Sequence, residues 1–158
     1  WFAEEVSRQS GGRMSLVSLW ANVLGSAPDQ VELLRQGVID IFIEELIFYH
    51  PFSEAVKVTS LPYVFRDDAH FIRFLESPFF RERALDQLVE HGIKIINPNW
   101  NWRRGLERVL VSARPIVHPK EIKGQRVRVF NAPILARFWE EMGAEPVPVS
   151  WPTVKRPW

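Results

Sequence analysis

ARPIVHPKEIKGQRVRVFNAPILARFWEEMGAEPVPVSW, residues 113–151, is the stretch that decides the fold. Within it, residues 126–130 (RVRVF) alternate cleanly. Val127 and Val129 fall on one face of a strand and Arg126 and Arg128 on the other, because successive strand side chains point to opposite faces. Pro133 then opens a helix. Ile134, Leu135, Phe138, Trp139 and Met142 recur at helical spacing, and Gly143 supplies the stop. The PVPV that follows (146–149) runs extended, since proline fixes φ and cannot continue a helix. Upstream, HPKEIKG (118–124) reads as a single helical turn.

Working outward, the same alternation continues. WFAEEVSRQSGG (1–12) places Phe2, Val6 and Ala3 on one helical stripe, ended by Gly11 and Gly12. MSLVSLW (14–20) is expected to be a strand. Ser26 caps the next helix, Asp29 completes a capping box, Val31, Leu33 and Leu34 form its apolar side, and Gly37 ends it. VIDIFI (38–43) has the length and β-branching of a covered strand. The passages around His50-Pro51 and SLPYVF (60–65) read as extended or turn-rich, with Pro62 biasing Leu61 away from helix. Residues 67–77 are helical, capped by Asp67 or Asp68, with Phe71, Phe74 and Leu75 inward. A further helix begins near Pro78 and ends at Gly92. IKII (93–96) and residues 106–112 read as short strands, and NPNWNWRRG (97–105) as a polar, aromatic turn. Helices alternating with short apolar strands predict an α/β protein with a mostly parallel sheet.

The 158 residues suit one ordinary domain or a domain and a fragment. Twenty basic against nineteen acidic residues leave +1, so there is no basic field to hold a phosphate backbone, and no nucleic-acid partner is expected. With no cysteine, thiolate zinc sites, thiol nucleophiles and disulfides are excluded. No apolar run reaches the length of a membrane span. No secretory signal stands at Trp1, which is read as a signal already removed or as a chain that is part of a longer one. No HExxH, GxSxG, P-loop or GxGxxG occurs. His50, His70, His91 and His118 lack metal-ligand spacing, so neither enzyme nor cofactor is nominated.

Two arginine groups carry the chemistry that remains. The Arg126/Arg128 face is either an edge strand with solvated guanidiniums or a carboxylate site, since arginine's planar fork gives a carboxylate two parallel charge-assisted bonds. Arg103, Arg104 and Arg108 follow Trp100 and Trp102. Aromatic walls with a cationic floor would make a small-molecule pocket, while an exposed turn with core-packed tryptophans fits equally. A stacking surface for single-stranded nucleic acid is opposed by the near-neutral charge. Asn131 sits where a strand end meets a helix start, the place where open α/β sheets bind ligands; it also suits a helix cap, and both roles are compatible. Glu44 and Glu45, read on a strand, point to opposite faces and form no carboxylate pair.

Taken together these segments resemble the extracytoplasmic solute-binding subunits of TRAP transporters, the DctP-like family. FAEEVSRQSGGRMSLVSLW with LGSAPDQVELLRQGVIDI is similar to the family's opening helix, second strand and next helix–strand unit. SLPYVFRDDAHFIRFLESP is similar to its leucine-proline, phenylalanine-arginine segment, and residues 113–151 are the strongest match. The resemblance implies a periplasmic-binding-protein-like fold of two lobes that close over a small organic acid. Delivery to a two-part membrane permease driven by an ion gradient follows, with no catalysis and no cofactor. It implies a periplasmic location in a bacterium or archaeon. The family's main carboxylate-binding arginine matches Arg128 and a frequent pocket position matches Asn131. A second arginine is placed at Arg108, with Arg103 or Arg104 allowed. Trp102 and Trp151 would orient the ligand. Glu44 stands near the cleft, where it would repel an anion or recognise an ammonium or hydroxyl group. Members run to about twice this length, so residues 1–100 would form a first lobe lacking its opening strand. Residues 101–158 would form the crossover and the start of a second lobe. The match fails after Trp151, at PTVKRPW. The alternative is a truncated or divergent member of the fold that binds no ligand.

Overall fold

The computed structural model describes residues 1–20, 22–97, 99–102 and 110–154, with Trp151 and Pro152 described in their backbone alone. The elements run α1 (Phe2–Gln9), α2 (Ala27–Arg35), two 3-10 turns (Leu46–Tyr49 and Glu54–Ser60), α3 (Asp68–Leu75) and α4 (Pro78–Phe80). The last continues through a π-wound stretch (Arg81–Leu85) into α5 (Asp86–Glu90). After a 3-10 turn at Pro119–Ile122 come β1 (Arg126–Val129), α6 (Pro133–Glu141), β2 (Glu145–Pro148) and the short α7 (Trp151–Val154).

Local chemistry sets the helix ends. At the start of α2 the Asp29 carboxylate reaches back to accept the Ser26 N–H at 2.8 Å and its hydroxyl. Asp67 caps α3 by accepting the His70 N–H at 2.6 Å. The long helix closes at Gly92, whose φ of +80° is open to glycine at little cost. There Gly92 N–H bonds to the Val89 carbonyl and Ile93 N–H to that of Leu88, satisfying two end carbonyls.

The sheet among the described residues has two parallel strands, with Arg126 opposite Glu145 and Val129 opposite Pro148. Glu145 N–H bonds to Gln125 and Val149 N–H to Val129, so odd-numbered amides of β2 face β1. By the same parity Pro146 and Pro148 put their missing donors on the outer side, which blunts that edge against further pairing. The main core joins Val31, Tyr49, Val56, Leu75, Phe80, Ala84, Leu88, Ile93 and Trp100. A second cluster joins Ile47 to Ala132 and Leu135.

The strands expected at 14–20, 38–43 and 93–96 form no ladder in the described structure. Part of the reason is local. Val38 and Ile39 direct their amides to the Leu33 carbonyl to close α2, and Ile93 directs its own to Leu88. The rest is non-local, because an apolar run becomes a strand only where a neighbouring backbone pairs with it. Val17 stays 85% exposed and Ile43 65% exposed. The passage around His50-Pro51, expected to be extended or turn-rich, is a turn between two 3-10 turns, Leu46–Tyr49 and Glu54–Ser60.

Acid should loosen the fold in two stages. Burial, and then the Lys57 charge, hold the His50 pKa below its usual value, so the unfolded chain binds this proton more readily. Its contribution is complete above about pH 6.5 and is lost as pH falls through the folded-state value. Glu32 is lowered to about 2 by its hydrogen bonds with Arg35 and Gln36. Asp29 is lowered by Ser26, Glu5 by Arg8 and Gln9, and Glu121 by the backbone amides of His118 and Val117. A depressed carboxylate stabilises above its unfolded pKa and ceases to do so as pH falls through its folded one. Melting followed by circular dichroism should therefore show a small decline below about pH 6.5 and a steeper one between about pH 4.5 and 2.

Candidate functional site

Because β1 turns Val127 and Val129 inward, Arg128 stands on its other face, half-buried. Its Nε donates to the Val149 carbonyl at 2.8 Å, just past the end of β2. The same residue's N–H closes the ladder on Val129 at 2.9 Å, so one residue both ends the sheet and sets the guanidinium's orientation. Partial burial lowers the Arg128 pKa from its usual value; arginine remains a cation throughout the physiological range.

Past Val129 the chain turns tightly, with Ala132 N–H bonding to the Phe130 carbonyl at 2.7 Å. Ala132, not Asn131, is the N-cap of α6, and no side chain caps that helix. Asn131 is exposed, and its amide makes no hydrogen bond among the described residues. The structure thus brings a backbone-anchored guanidinium and an uncommitted carboxamide to the same end of β1.

The 3-10 turn Leu46–Tyr49 forms the neighbouring wall. Ile47 is buried against Ala132 and Leu135, and the Phe48 and Phe130 rings lie 5.1 Å apart. Glu44 and Glu45 lead into that turn outside any strand, with Glu45 extended as its N-cap (φ −72°, ψ 145°). Glu44 is half-buried and accepts the Glu45 N–H at 3.1 Å. Burial, and then the Glu44 charge, push the Tyr49 hydroxyl up to about 12.

Trp102 packs edge-on against Phe2 of α1, with centroids 5.2 Å apart. Its backbone is held by Asn97, whose Nδ2 donates to the Trp102 carbonyl at 2.9 Å. Trp100 is buried in the main core beside Phe80. Arg103, Arg104 and Arg108 lie outside the described residues, as does the Trp151 side chain. The Val149 carbonyl is the functional group that sequence reasoning missed; a backbone acceptor leaves no side-chain signal. The described residues form a surface depression of about 410 Å³ lined by Leu110 and Ser112 to Ile116, and another of about 240 Å³ between His50–Glu54 and Gln87–His91. Neither is lined by Arg128 or Asn131. Among the described residues no group of three His, Cys, Asp or Glu could hold a metal ion. No helix there is long and apolar enough to cross a membrane.

Residues 1–154 match the family model of the bacterial extracellular solute-binding proteins, family 7 (DctP). The chain belongs to the DctP family. That family is one of solute-binding proteins, not of enzymes. A solute-binding protein of Chromohalobacter salexigens is 28% identical over 150 residues, which are 95% of this chain and 44% of that relative. A TRAP periplasmic solute-binding protein from Roseobacter denitrificans, solved with bound β-D-glucuronate, is 27% identical with a TM-score of 0.78. That match covers 97% of this DctP chain and 49% of the other. One from Sulfitobacter, solved with bound β-D-galacturonate, is 28% identical with a TM-score of 0.78, over 97% of this chain and 50% of that one. The DctP chain thus spans about half the length of the curated relatives it matches. Its α/β architecture is a periplasmic-binding-protein-like lobe with a small parallel sheet, part of the two-lobe fold.

Proposed function

We propose that this DctP-family chain captures a small organic carboxylate in the periplasm and passes it to the membrane permease of a TRAP transporter. The observation that carries the reading is the Arg128 guanidinium fixed by the Val149 carbonyl, on the strand that leads three residues later to the exposed Asn131. The planar guanidinium gives a carboxylate charge-assisted hydrogen bonds with a fixed geometry, and the Nε bond to Val149 orients that plane. Asn131 offers both a donor NH2 group and an acceptor carbonyl, which suits a carboxylate flanked by hydroxyls. Glu44 accepts from hydroxyl groups and disfavours a second carboxylate at its end of the site. Arg108, Trp102 and Trp151 complete the assignment as a second cation and aromatic walls. Two relatives at 27% and 28% identity hold hexuronates, acids with one carboxylate and several hydroxyls, and this chemistry is the class proposed here.

The test is thermal unfolding of the chain against glucuronate, galacturonate, galactonate, succinate and malate. A ligand that binds only the native state raises the midpoint by mass action, by about 5–10 °C at a hundredfold excess over Kd for a domain of this size. A saturable rise with a hexuronate, confirmed by calorimetric titration, is the expected result. A cooperative transition that no acid in the panel moves would overturn the proposal and leave a fold without its family's ligand.

A further inference from the structure

Residues 78–90 wind as one continuous helix whose middle, Arg81–Leu85, is π-wound, with Asp86 N–H bonding to the Arg81 carbonyl five residues back. Such turns are rare and occur mostly as single insertions, frequently at functional sites. Here the wide turn has a packing consequence. Phe80, Ala84 and Leu88, each four residues apart, are all fully buried. Regular α winding would rotate each about 40° past the one before, and the wider turn keeps them in line. Against this turn lies Ser53, a buried polar residue. Its Oγ donates to the Arg83 carbonyl at 3.0 Å.

Ser53 also belongs to the segment that walls the carboxylate site. Its N–H and that of Phe52 both bond to the Tyr49 carbonyl, at 3.2 and 3.0 Å. Tyr49 ends the 3-10 turn whose Ile47 and Phe48 pack on Ala132, Leu135 and Phe130. A continuous set of contacts therefore runs from the π turn through Ser53 and Tyr49 to the residues on either side of Asn131.

We propose that Ser53 is a positioning residue for this site. By bonding the Arg83 carbonyl it holds the helix in its wide register and pins the Leu46–Tyr49 turn against the Phe130–Ala132 junction. The inference rests on the function proposed above. Without the hydroxyl, the Arg83 carbonyl loses its lateral donor, the helix is freed to rewind as α across Arg81–Leu85, and Leu88 rotates away from the line of Phe80. The displaced core then releases the turn that sets Glu44 and Phe48.

Ser53→Ala and Ser53→Thr test this together. Ser53 is extended (φ −153°, ψ 114°), a conformation that suits threonine, so the second variant keeps the hydroxyl on a compatible backbone. Hydrogen exchange without ligand should show the Phe48 and Leu135 amides of Ser53→Ala exchanging about tenfold faster. Affinity for the acid, measured well below the melting midpoint, should fall about five- to tenfold. Ser53→Thr should restore both. A Ser53→Ala variant with a lower midpoint but unchanged exchange at Phe48 and Leu135 would show a merely structural serine and overturn the proposal. Unchanged affinity, or failure of threonine to restore exchange, would do the same. The exchange arm needs no ligand, so a chain that binds none of the acids sinks the functional reading while exchange at Phe48 and Leu135 still decides whether Ser53 positions the turn.

Discussion

Arg128→Ala is expected to weaken capture of the acid by about a hundredfold or more while the chain still folds. The guanidinium is half-buried and tied to the Val149 carbonyl, so it meets a carboxylate already oriented and partly desolvated. Removing one partner of such a charge pair typically costs about 2–5 kcal/mol, much of it from the ligand carboxylate left without a counter-ion. Folding should suffer less, since Val127 and Val129 carry the buried face of β1 and the β1–β2 ladder is backbone-made. Arg128→Lys keeps the charge but loses the planar fork and the Nε bond, so intermediate affinity is expected. Calorimetric titration against the best acid, with circular dichroism on each variant, reads both effects. Equal affinity in Arg128→Ala and the parent would remove Arg128 from the site.

Phe80→Ala is expected to cost about 3–5 kcal/mol of stability, a large share of what a domain of this size possesses. Phe80 is fully buried where α4 meets the main core. Its ring centroid lies 5.1 Å from that of Phe74 and 6.1 Å from that of Trp100. Truncation removes both ring contacts and leaves a cavity beneath a helix that is already wound irregularly and cannot close down readily. Phe79 is the control. It is 59% exposed one residue earlier, and its alanine variant should stay within about 0.5 kcal/mol of the parent. Urea unfolding of the two variants side by side checks the contrast. Equal midpoints would mean that the core is centred elsewhere.

The contrast between Phe79 and Phe80 also marks how far sequence reading reaches. Pro78 and Gly92 bounded the helix correctly, because a proline start and a glycine close are local chemistry. Ser26 with Asp29, and Asp67 with the His70 amide, were legible for the same reason. So was the alternation of β1, which put Arg128 on the face opposite the buried valines. The π winding was not legible, since it answers a packing demand made by residues distant in the chain. Trp100 and Trp102 were open to two readings, pocket walls or core packing, and the fold separates them: the Trp100 ring enters the core while that of Trp102 meets α1. Glu44 and Glu45 were considered as strand residues, and the structure leaves them outside any strand, just ahead of the Leu46–Tyr49 turn that Ile47 packs on Ala132.

By itself the sequence determined the helix ends, the β1–α6–β2 order, the arginine-bearing face of β1 and the strand–helix junction at Asn131. Each follows from residues within a turn or two of one another. Tertiary structure alone decided which apolar runs became strands. A ladder needs a second backbone at hydrogen-bonding distance, and residues 14–20, 38–43 and 93–96 find none among those described. It also decided what holds the Arg128 guanidinium. That acceptor is a main-chain carbonyl 21 residues away, which every residue carries and only folding can bring into place.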